Sequence, residues 1–419
     1  MIKMTNNRIE LLENFQIFLF VLIPLFLITG PFLSDLALSI IALIEIYFVI
    51  KLKRFEIFKN FYVKFFLIFW VYIFFNSVII NPNLDSIITS FFYFRYLFFT
   101  IAIINLLEQK KGILLKLFYS FLFCFLILIF DGFFQYFNGS NIIGLKLQPG
   151  PRASSFFGDE LILGSYLIRL LPIFFGITIL LFTKQKKIIY LIGLILVLVE
   201  TLVFISGERT AFFYVNLSAL FIIFFIKDYK IYRSIILLLS IIAVLTISNF
   251  SPTIKNRMVD TTLDQIGFDN EKKYIFSMEH HDQYMTALNI FKTNIYFGIG
   301  IKQFRNNCHK PEYKSGQFGC SSHPHSTYLQ FLSELGLVGF SFILYLFLIF
   351  SYKLIIHFFQ NIRNRKSIFN NIEICLLSSV LITIWPLGPA GNFFNNWLSI
   401  VYFMPIPILF WSLRNNKRT

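Results

Sequence analysis

Residues 188–205 read IIYLIGLILVLVETLVFI, an apolar run that contains one charged side chain, Glu200. A run of this length is typical of a transmembrane helix, because the hydrocarbon layer of a bilayer is about 30 Å thick. Similar runs recur along the 419 residues, of which 57% are hydrophobic and only 14% are charged. The sequence therefore predicts a polytopic membrane protein.

Charged or turn-forming breaks divide the apolar runs into twelve predicted transmembrane helices. The predicted spans lie near residues 15–33, 35–50, 61–80, 86–107, 113–137, 161–182, 188–205, 210–226, 234–250, 327–356, 369–386 and 396–413. The first run is followed by GPFLSD, which lacks the small-residue pattern of a signal-peptide cleavage site, so we expect this helix to be retained. We expect an all-α integral membrane protein with one polytopic domain over residues 1–419.

Lysine and arginine are concentrated in the connections on one side of these spans. Examples are KLKRFEIFK at 51–59 and KQKK at 184–187, whereas the short connections on the other side carry only Lys146, Arg152 and Arg209. The positive-inside rule places both termini in the cytoplasm and the second set of loops outside. The formal net charge of +15 follows from this sidedness, and we expect no nucleic-acid partner.

One outer connection is much longer than the others and covers residues 251–326, between the ninth and tenth spans. Loops of this length are usually functional or disordered. The stretch 280–294 has apolar residues at helical spacing, which predicts an amphipathic helix over the bundle. Cys308 and Cys320 lie near the end of the loop, and an oxidising outer compartment favours a disulfide between them. Two free thiols are the alternative.

Several catalytic and nucleotide-binding motifs are absent from the sequence. It contains no GxxxxGK[ST] loop, HExxH helix, DxD pair or GxSxG turn. We therefore expect chemistry that is powered by the substrate, without a metal or another cofactor. His280, His281 and Asp282 could bind a metal, but adjacent helical side chains point about 100° apart, which favours a solvated surface.

His325 immediately precedes the tenth span and is the candidate catalytic base. Ser326 or Thr327 can cap this helix, and the positive end of the helix dipole disfavours a protonated ring. A neutral imidazole at this position can accept a proton. The alternative is that His323 and His325 are interfacial residues of a helix cap.

Arginines on the outer loops are candidates for binding an anionic group. Arg209 lies in FISGERTAFF, the shortest outer turn, and a guanidinium can bind a phosphate through two parallel hydrogen bonds. The alternative is an exposed turn arginine that pairs with Glu208. Arg152, in QPGPRASSFFGDE, offers the same chemistry.

Two further arginines lie inside predicted spans. An unpaired charge in hydrocarbon is costly, so Arg95 and Arg169 are expected to face either a partner or a wet cavity. The candidate partners are Asp131, Glu45 and Glu200.

Two functions from different classes are compatible with these residues. In the first, His325 deprotonates an acceptor hydroxyl, which displaces a polyprenyl diphosphate from a glycan with inversion at the anomeric carbon, while arginines stabilise the leaving group. In the second, the protein is a transporter or flippase of a lipid-linked oligosaccharide, with Arg95 and Arg169 along its pathway.

The stretch HPHSTYLQFLSELGLVG at 323–339 resembles the motif H-N-x-x-L-Q-x-x-x-E-x-G-x-x-G of the O-antigen ligase and O-antigen polymerase superfamily, with Ser326 at the position of the asparagine. FISGERTAFF is similar to its Ser-x-x-Arg turn, FGIGIKQF at 297–304 to its Gly-x-Gly segment, and PRASSFFGDELILG at 151–164 to its arginine-led motif. The resemblance covers roughly residues 145–400.

The resemblance implies that His325 is the catalytic base and that Arg209 and Arg152 bind the diphosphate of an undecaprenyl-linked glycan, without metal. The spacing of Arg305 and Gly316 is similar to an arginine-to-glycine spacing of the family's polymerases, so Arg305 is a further candidate. The implied enzyme lies in the bacterial inner membrane with its active site facing the periplasm. The acceptor, either lipid A-core or another lipid-linked glycan, remains open between ligase and polymerase.

Overall fold

The computed structural model describes residues 2–226, 228, 230–266, 274, 276–363 and 367–416. Over these residues the chain forms helices, and its only β-type pairings are two isolated bridges. Twelve apolar helices build the bundle: α1 Ile2–Ile28, α2 Pro31–Lys51, α3 Phe61–Ile79, α4 Leu84–Gln109, α5 Ile113–Asn138, α6 Leu163–Phe182, α7 Lys186–Ile205, α8 Arg209–Phe225, α9 Lys230–Phe250, α10 Thr327–Ile362, α11 Asn371–Ile384 and α12 Asn396–Asn415.

These helices confirm the predicted all-α membrane fold, and an apolar helix lies at each of the twelve predicted positions. Ten of them are long and apolar enough to cross a membrane, whereas α8 and α11 are shorter. The chain leaves the helical conformation at Ile226 after α8 and at Trp385 after α11, which limits both helices. α4 contains a 3₁₀ turn at Phe92–Phe94.

The centre of the bundle is formed by α6, which is the most buried of the ten long helices. It packs against α5, α7, α8 and α11. The approach of α6 to α11 depends on Gly176, because a Cβ at this position would lie 2.8 Å from the Cβ of Cys375. A small residue here lets two helix backbones pack closely, as is common in membrane proteins.

α10 is interrupted at Gly336, where the backbone leaves the helical region with φ 64° and ψ −166°. The segment after Asn294 crosses the helix at this break, and the two backbones exchange hydrogen bonds. Leu337 N donates to Ile295 O (2.8 Å), and Gly300 N donates to Glu334 O (2.8 Å). A Cβ on Gly298 would overlap the Glu334 carbonyl group. Glycine is therefore required at this crossing, which fixes the outer loop on α10.

The described part of the long loop contains short helices at Pro252–Lys255 and Thr261–Ile266, with a π-helical turn at Asn256–Asp260 between them. A longer helix follows at Met278–Thr293, where the sequence predicts one. Cys308 and Cys320 are joined in a disulfide. Asp282 accepts a hydrogen bond from Phe318 N (3.0 Å), which ties the disulfide-bonded hairpin to the loop helix.

Candidate functional site

A cavity of about 550 Å³ opens at the end of the bundle where the long loop lies. Its walls come from the starts of α6 and α8, the loop that precedes α6, the loop 251–326 and the segment 385–395 between α11 and α12. Three of the residues singled out by sequence, Arg152, Arg209 and His325, line it together. Arg169, Arg257 and His280 also line the cavity.

The turn at residues 206–208, between α7 and α8, organises two of these arginines. Arg152 Nε donates to Ser206 O (3.2 Å), and Arg257 Nε donates to Gly207 O (3.0 Å). Each guanidinium is thereby oriented, and its other nitrogen atoms have no hydrogen-bond partner among the described residues, so they are available to a ligand. Gly207 has φ +66°, and a Cβ there would lie 2.8 Å from Arg257 Nε. Burial, followed by the charge of Arg257, lowers the pKa of Arg152 to about 10, so that it remains a cation at neutral pH.

Glu208 does not pair with Arg209. Its carboxylate accepts hydrogen bonds from Gly164 N (2.6 Å) and Ser165 N (3.1 Å) at the start of α6. A carboxylate at this position satisfies free amide groups and opposes the positive end of the helix dipole. Arg209 instead donates through an NH1 nitrogen to Gln265 Oε1 (2.5 Å). The sequence alternative of an Arg209–Glu208 turn pair is therefore wrong.

His325 presents its ring to the cavity from an unusual backbone conformation with φ +52°. Its carbonyl oxygen accepts from Ala390 N (2.8 Å) and from Tyr284 OH (3.4 Å). Neither ring nitrogen has a hydrogen-bond partner among the described residues, so a lone pair is available to a ligand. Burial, and secondly the charge of His280, lowers the pKa of His325 to about 4.

The expected neutral state of the His325 ring thus has a different main cause from the helix dipole. The first straight segment of α10 has only nine residues before the Gly336 break, and burial dominates the shift. Ser326 caps α10 by accepting from Leu329 N (3.5 Å).

His323 is buried, and both of its ring nitrogens are occupied. Nε2 faces the carbonyl oxygen of Ala390 (3.2 Å), so it must carry the proton, and Nδ1 then accepts from the hydroxyl of Ser322 (2.9 Å). Burial and the neighbouring ring of His325 lower its pKa to about 3. The rings of His323 and His325 lie 4.0 Å apart between centroids. His323 therefore supports His325 and has no free nitrogen for catalysis.

Two polar side chains of α10 each hold a neighbouring segment: Gln330 binds the segment 385–395, and Glu334 binds the long outer loop at Phe304. Gln330 Nε2 donates to Asn392 Oδ1 (2.8 Å) and to Glu334 Oε2 (2.9 Å), while its Oε1 accepts from Phe393 N (2.9 Å). Glu334 Oε1 in turn accepts from Phe304 N (3.2 Å). All four side-chain hydrogen bonds are buried or half-buried. Breaking any of them would leave a polar group without a partner and away from water, which costs free energy.

Arg305 does not line the cavity. It lies exposed in the short helix Phe304–Asn307, and its role in binding diphosphate stays a prediction.

Arg95 and Arg169 have partners that differ from those expected. Arg95 forms an ion pair with Asp35 (2.7 Å), a residue not among the predicted partners. Arg169 donates to Ser165 Oγ (2.6 Å) and lies over the ring of Tyr402, with no carboxylate at ion-pair distance among the described residues. Arg169 is thus the one of the two that lines the cavity.

Two lining residues, Arg257 and His280, were missed as site residues by the sequence interpretation. Arg257 lies in NRMVD at 256–260, which matches no motif, and only its position in the long outer loop could have suggested it. His280 bonds through Nδ1 to Ser277 Oγ (2.8 Å), and its ring meets that of His325 edge to face at 5.6 Å. The sequence favoured a solvated surface for His280; in the structure it is half-buried and lines the cavity beneath the loop helix.

One group of potential metal ligands occurs among the described residues, formed by Cys308, His309 and Cys320. The two sulfur atoms are bonded to each other, and a disulfide supplies no thiolate to a metal. His281 and Asp282 contact other parts of the loop, Tyr274 and Phe318 respectively, and do not converge with His280.

A family model described as O-Antigen ligase matches residues 192–344. The matched segment runs from α7 into α10 and includes Arg209, Arg257, His280 and His325, whereas Arg152 precedes it. A comparison with curated proteins finds no match.

Proposed function

We propose a specific reaction for this multi-pass membrane protein, which the match of the family model over residues 192–344 identifies as a member of the O-antigen ligase and polymerase superfamily. It transfers a glycan from undecaprenyl diphosphate to an acceptor hydroxyl at the periplasmic face of the bacterial inner membrane. The acceptor is a lipid A-core sugar or another lipid-linked glycan.

The observation that supports this proposal is the meeting of cations and an unprotonated histidine in one cavity. Arg152, Arg209 and Arg257 line the same space as His325. A diphosphate is the leaving group that such a set of guanidinium groups fits, because each can form paired, charge-assisted hydrogen bonds to phosphate oxygens. As the glycosidic C–O bond breaks, negative charge grows on the diphosphate, and preorganised arginines lower the barrier.

His325 takes the proton of the acceptor hydroxyl, and the acceptor oxygen attacks the anomeric carbon from the face opposite to the diphosphate. The single displacement inverts the configuration of this carbon. A ring with a pKa near 4 is a weak base in the unliganded protein. When the donor binds, its diphosphate places negative charge next to the His325 ring. This charge stabilises the imidazolium and raises the pKa of His325 before the acceptor hydroxyl gives up its proton. We therefore expect the donor to bind before the acceptor.

The arginines supply the positive charge that a divalent cation supplies in many other phosphate-binding sites. We propose a metal-independent reaction. Full activity of the purified protein in excess EDTA would support this, whereas loss of activity that Mg²⁺ or Mn²⁺ restores would contradict it.

The decisive experiment replaces the wild-type protein by His325→Ala in cells and separates lipid A-linked from undecaprenyl-linked glycans. Long chains that accumulate on undecaprenyl diphosphate, with bare core on lipid A, identify a ligase. Single repeats on lipid A in place of a ladder identify a polymerase. An unchanged profile at normal protein level refutes the catalytic role of His325. His309→Ala is the matched control, because His309 is an exposed histidine of the same loop.

A further inference from the structure

A second cavity, of about 660 Å³, lies at the end of the bundle opposite to the arginine cavity. It is bounded by the start of α3, the second halves of α4, α10 and α12, and the residues that lead into α11. Lys353 lines it, 16 residues beyond Leu337 in the second straight segment of α10. At 1.5 Å per residue this is about 24 Å farther along α10, close to the thickness of the hydrocarbon layer.

An adjoining cavity of about 310 Å³ continues this space along α10 toward the middle of the bundle. The two share wall residues from α3, α10 and α12, among them Tyr62, Lys353 and Phe410, and the second reaches Phe331. Apart from the residues at the mouth, the walls are mainly aliphatic and aromatic. We call the joined space the basal groove, and its size is that of pockets that take an extended hydrocarbon ligand.

The mouth of the basal groove is polar and basic. Lys353 Nζ donates to Tyr62 OH (3.3 Å), and no carboxylate lies at ion-pair distance from it among the described residues. Arg414 pairs with Glu108 (3.1 Å), which leaves further guanidinium hydrogens for another acceptor. An apolar groove with an uncompensated ammonium group at its mouth complements a molecule that has a hydrocarbon chain and an anionic head.

We propose that the basal groove binds an anionic phospholipid. Its phosphate contacts Lys353 and Arg414, and one acyl chain lies along the groove toward Phe331. Basic pockets between transmembrane helices are known to select anionic head groups in this way. A phospholipid with no net charge gains the same apolar contacts but leaves the Lys353 charge uncompensated. The bound lipid joins α3, α10 and α12, and α10 carries His325 at its other end.

The test measures the unfolding midpoint of the purified protein in detergent micelles. Phosphatidylglycerol or phosphatidylcholine with identical acyl chains is added. We expect phosphatidylglycerol to raise the midpoint by several degrees more than phosphatidylcholine for the wild type. Lys353→Gln should remove this difference, whereas the matched control Lys64→Gln, an exposed lysine on α3, should retain it. Equal responses to both lipids, or an unchanged difference in Lys353→Gln, would overturn the proposal.

A second measurement does not depend on a variant. Native mass spectrometry of the wild type from a mixture of the two lipids should show bound phosphatidylglycerol enriched over its proportion in the mixture, and a bound population that mirrors the mixture overturns the proposal. A groove that prefers undecaprenyl phosphate to phosphatidylglycerol, with the same dependence on Lys353, would also overturn it and assign the groove to the carrier lipid. These outcomes are independent of glycan transfer.

Discussion

Gly298→Ala should destabilise the protein strongly, because the crossing at Gly336 leaves no room for a side chain. Two costs add. A left-handed backbone with φ +66° costs a non-glycine residue about 1–2 kcal/mol. The new methyl group also overlaps the Glu334 carbonyl and the Leu335 nitrogen, backbone atoms that cannot rotate away, for about 1–3 kcal/mol more. The sum, about 2–5 kcal/mol, is a large part of a typical stability of about 5–15 kcal/mol.

Gly139→Ala separates the two costs. Gly139 follows α5 with φ +78°, and a Cβ there would meet no atom within 4 Å. It should lose only the conformational cost of about 1–2 kcal/mol. The assay compares the unfolding midpoints of both variants and the wild type in the same detergent. If Gly298→Ala unfolds no earlier than Gly139→Ala, the two backbones are not in contact at this crossing, and our explanation of both glycines is wrong.

Three other predictions concern the site and its loop. Because burial lowers the pKa of His325 in the unliganded protein to about 4, the base form persists as pH falls, and kcat/KM for the donor, the first substrate to bind, should decline only near pH 4; a decline near pH 6.5 would mean an ordinary, solvated ring. Arg209→Lys should lower glycan transfer at least about tenfold, since one charge-assisted hydrogen bond is worth about 1.5–3 kcal/mol, whereas a near wild-type rate would assign Arg209 to the turn alone. Cys308 and Cys320 should resist a maleimide until a reductant is added, and prompt labelling would contradict the disulfide.

The fold was largely predictable because a transmembrane helix can be recognised from a continuous run of apolar residues in the sequence. A run such as 188–205 must satisfy its backbone hydrogen bonds internally, so hydropathy alone locates α7. The break in α10 was not predictable in the same way. Gly336 lies inside an uninterrupted apolar pattern, and the segment that opens the helix there comes from Gly298, about forty residues earlier in the chain.

The candidate site was predictable at its histidine and arginine residues, because these residue types rarely serve a purely structural role at the outer end of a membrane helix. His325 lies at the end of the long outer loop and Arg209 in the shortest outer turn, both next to helix starts, and both line the cavity. The partners were harder to predict, because proximity in the chain is a poor guide in a bundle. Glu208 is the neighbour of Arg209 in sequence but caps α6. Arg257 and Arg152 come from different loops and both donate hydrogen bonds to the turn at residues 206–208. Such pairings depend on which helix ends meet in space.

The spacing of the motif around His325 can be explained by the hydrogen bonds that its side chains make to neighbouring segments. A histidine with φ +52° is strained by roughly 1–3 kcal/mol and persists only if its surroundings fix it. The Ala390 amide does so by donating to the His325 carbonyl, and Ala390 is held in turn because Gln330, five residues after His325, binds Asn392. Glu334, one helical turn beyond Gln330, anchors the segment that crosses α10. The histidine-led motif therefore corresponds to one short helical segment that fixes two loops around the His325 ring, the segment 385–395 through Gln330 and the long outer loop through Glu334.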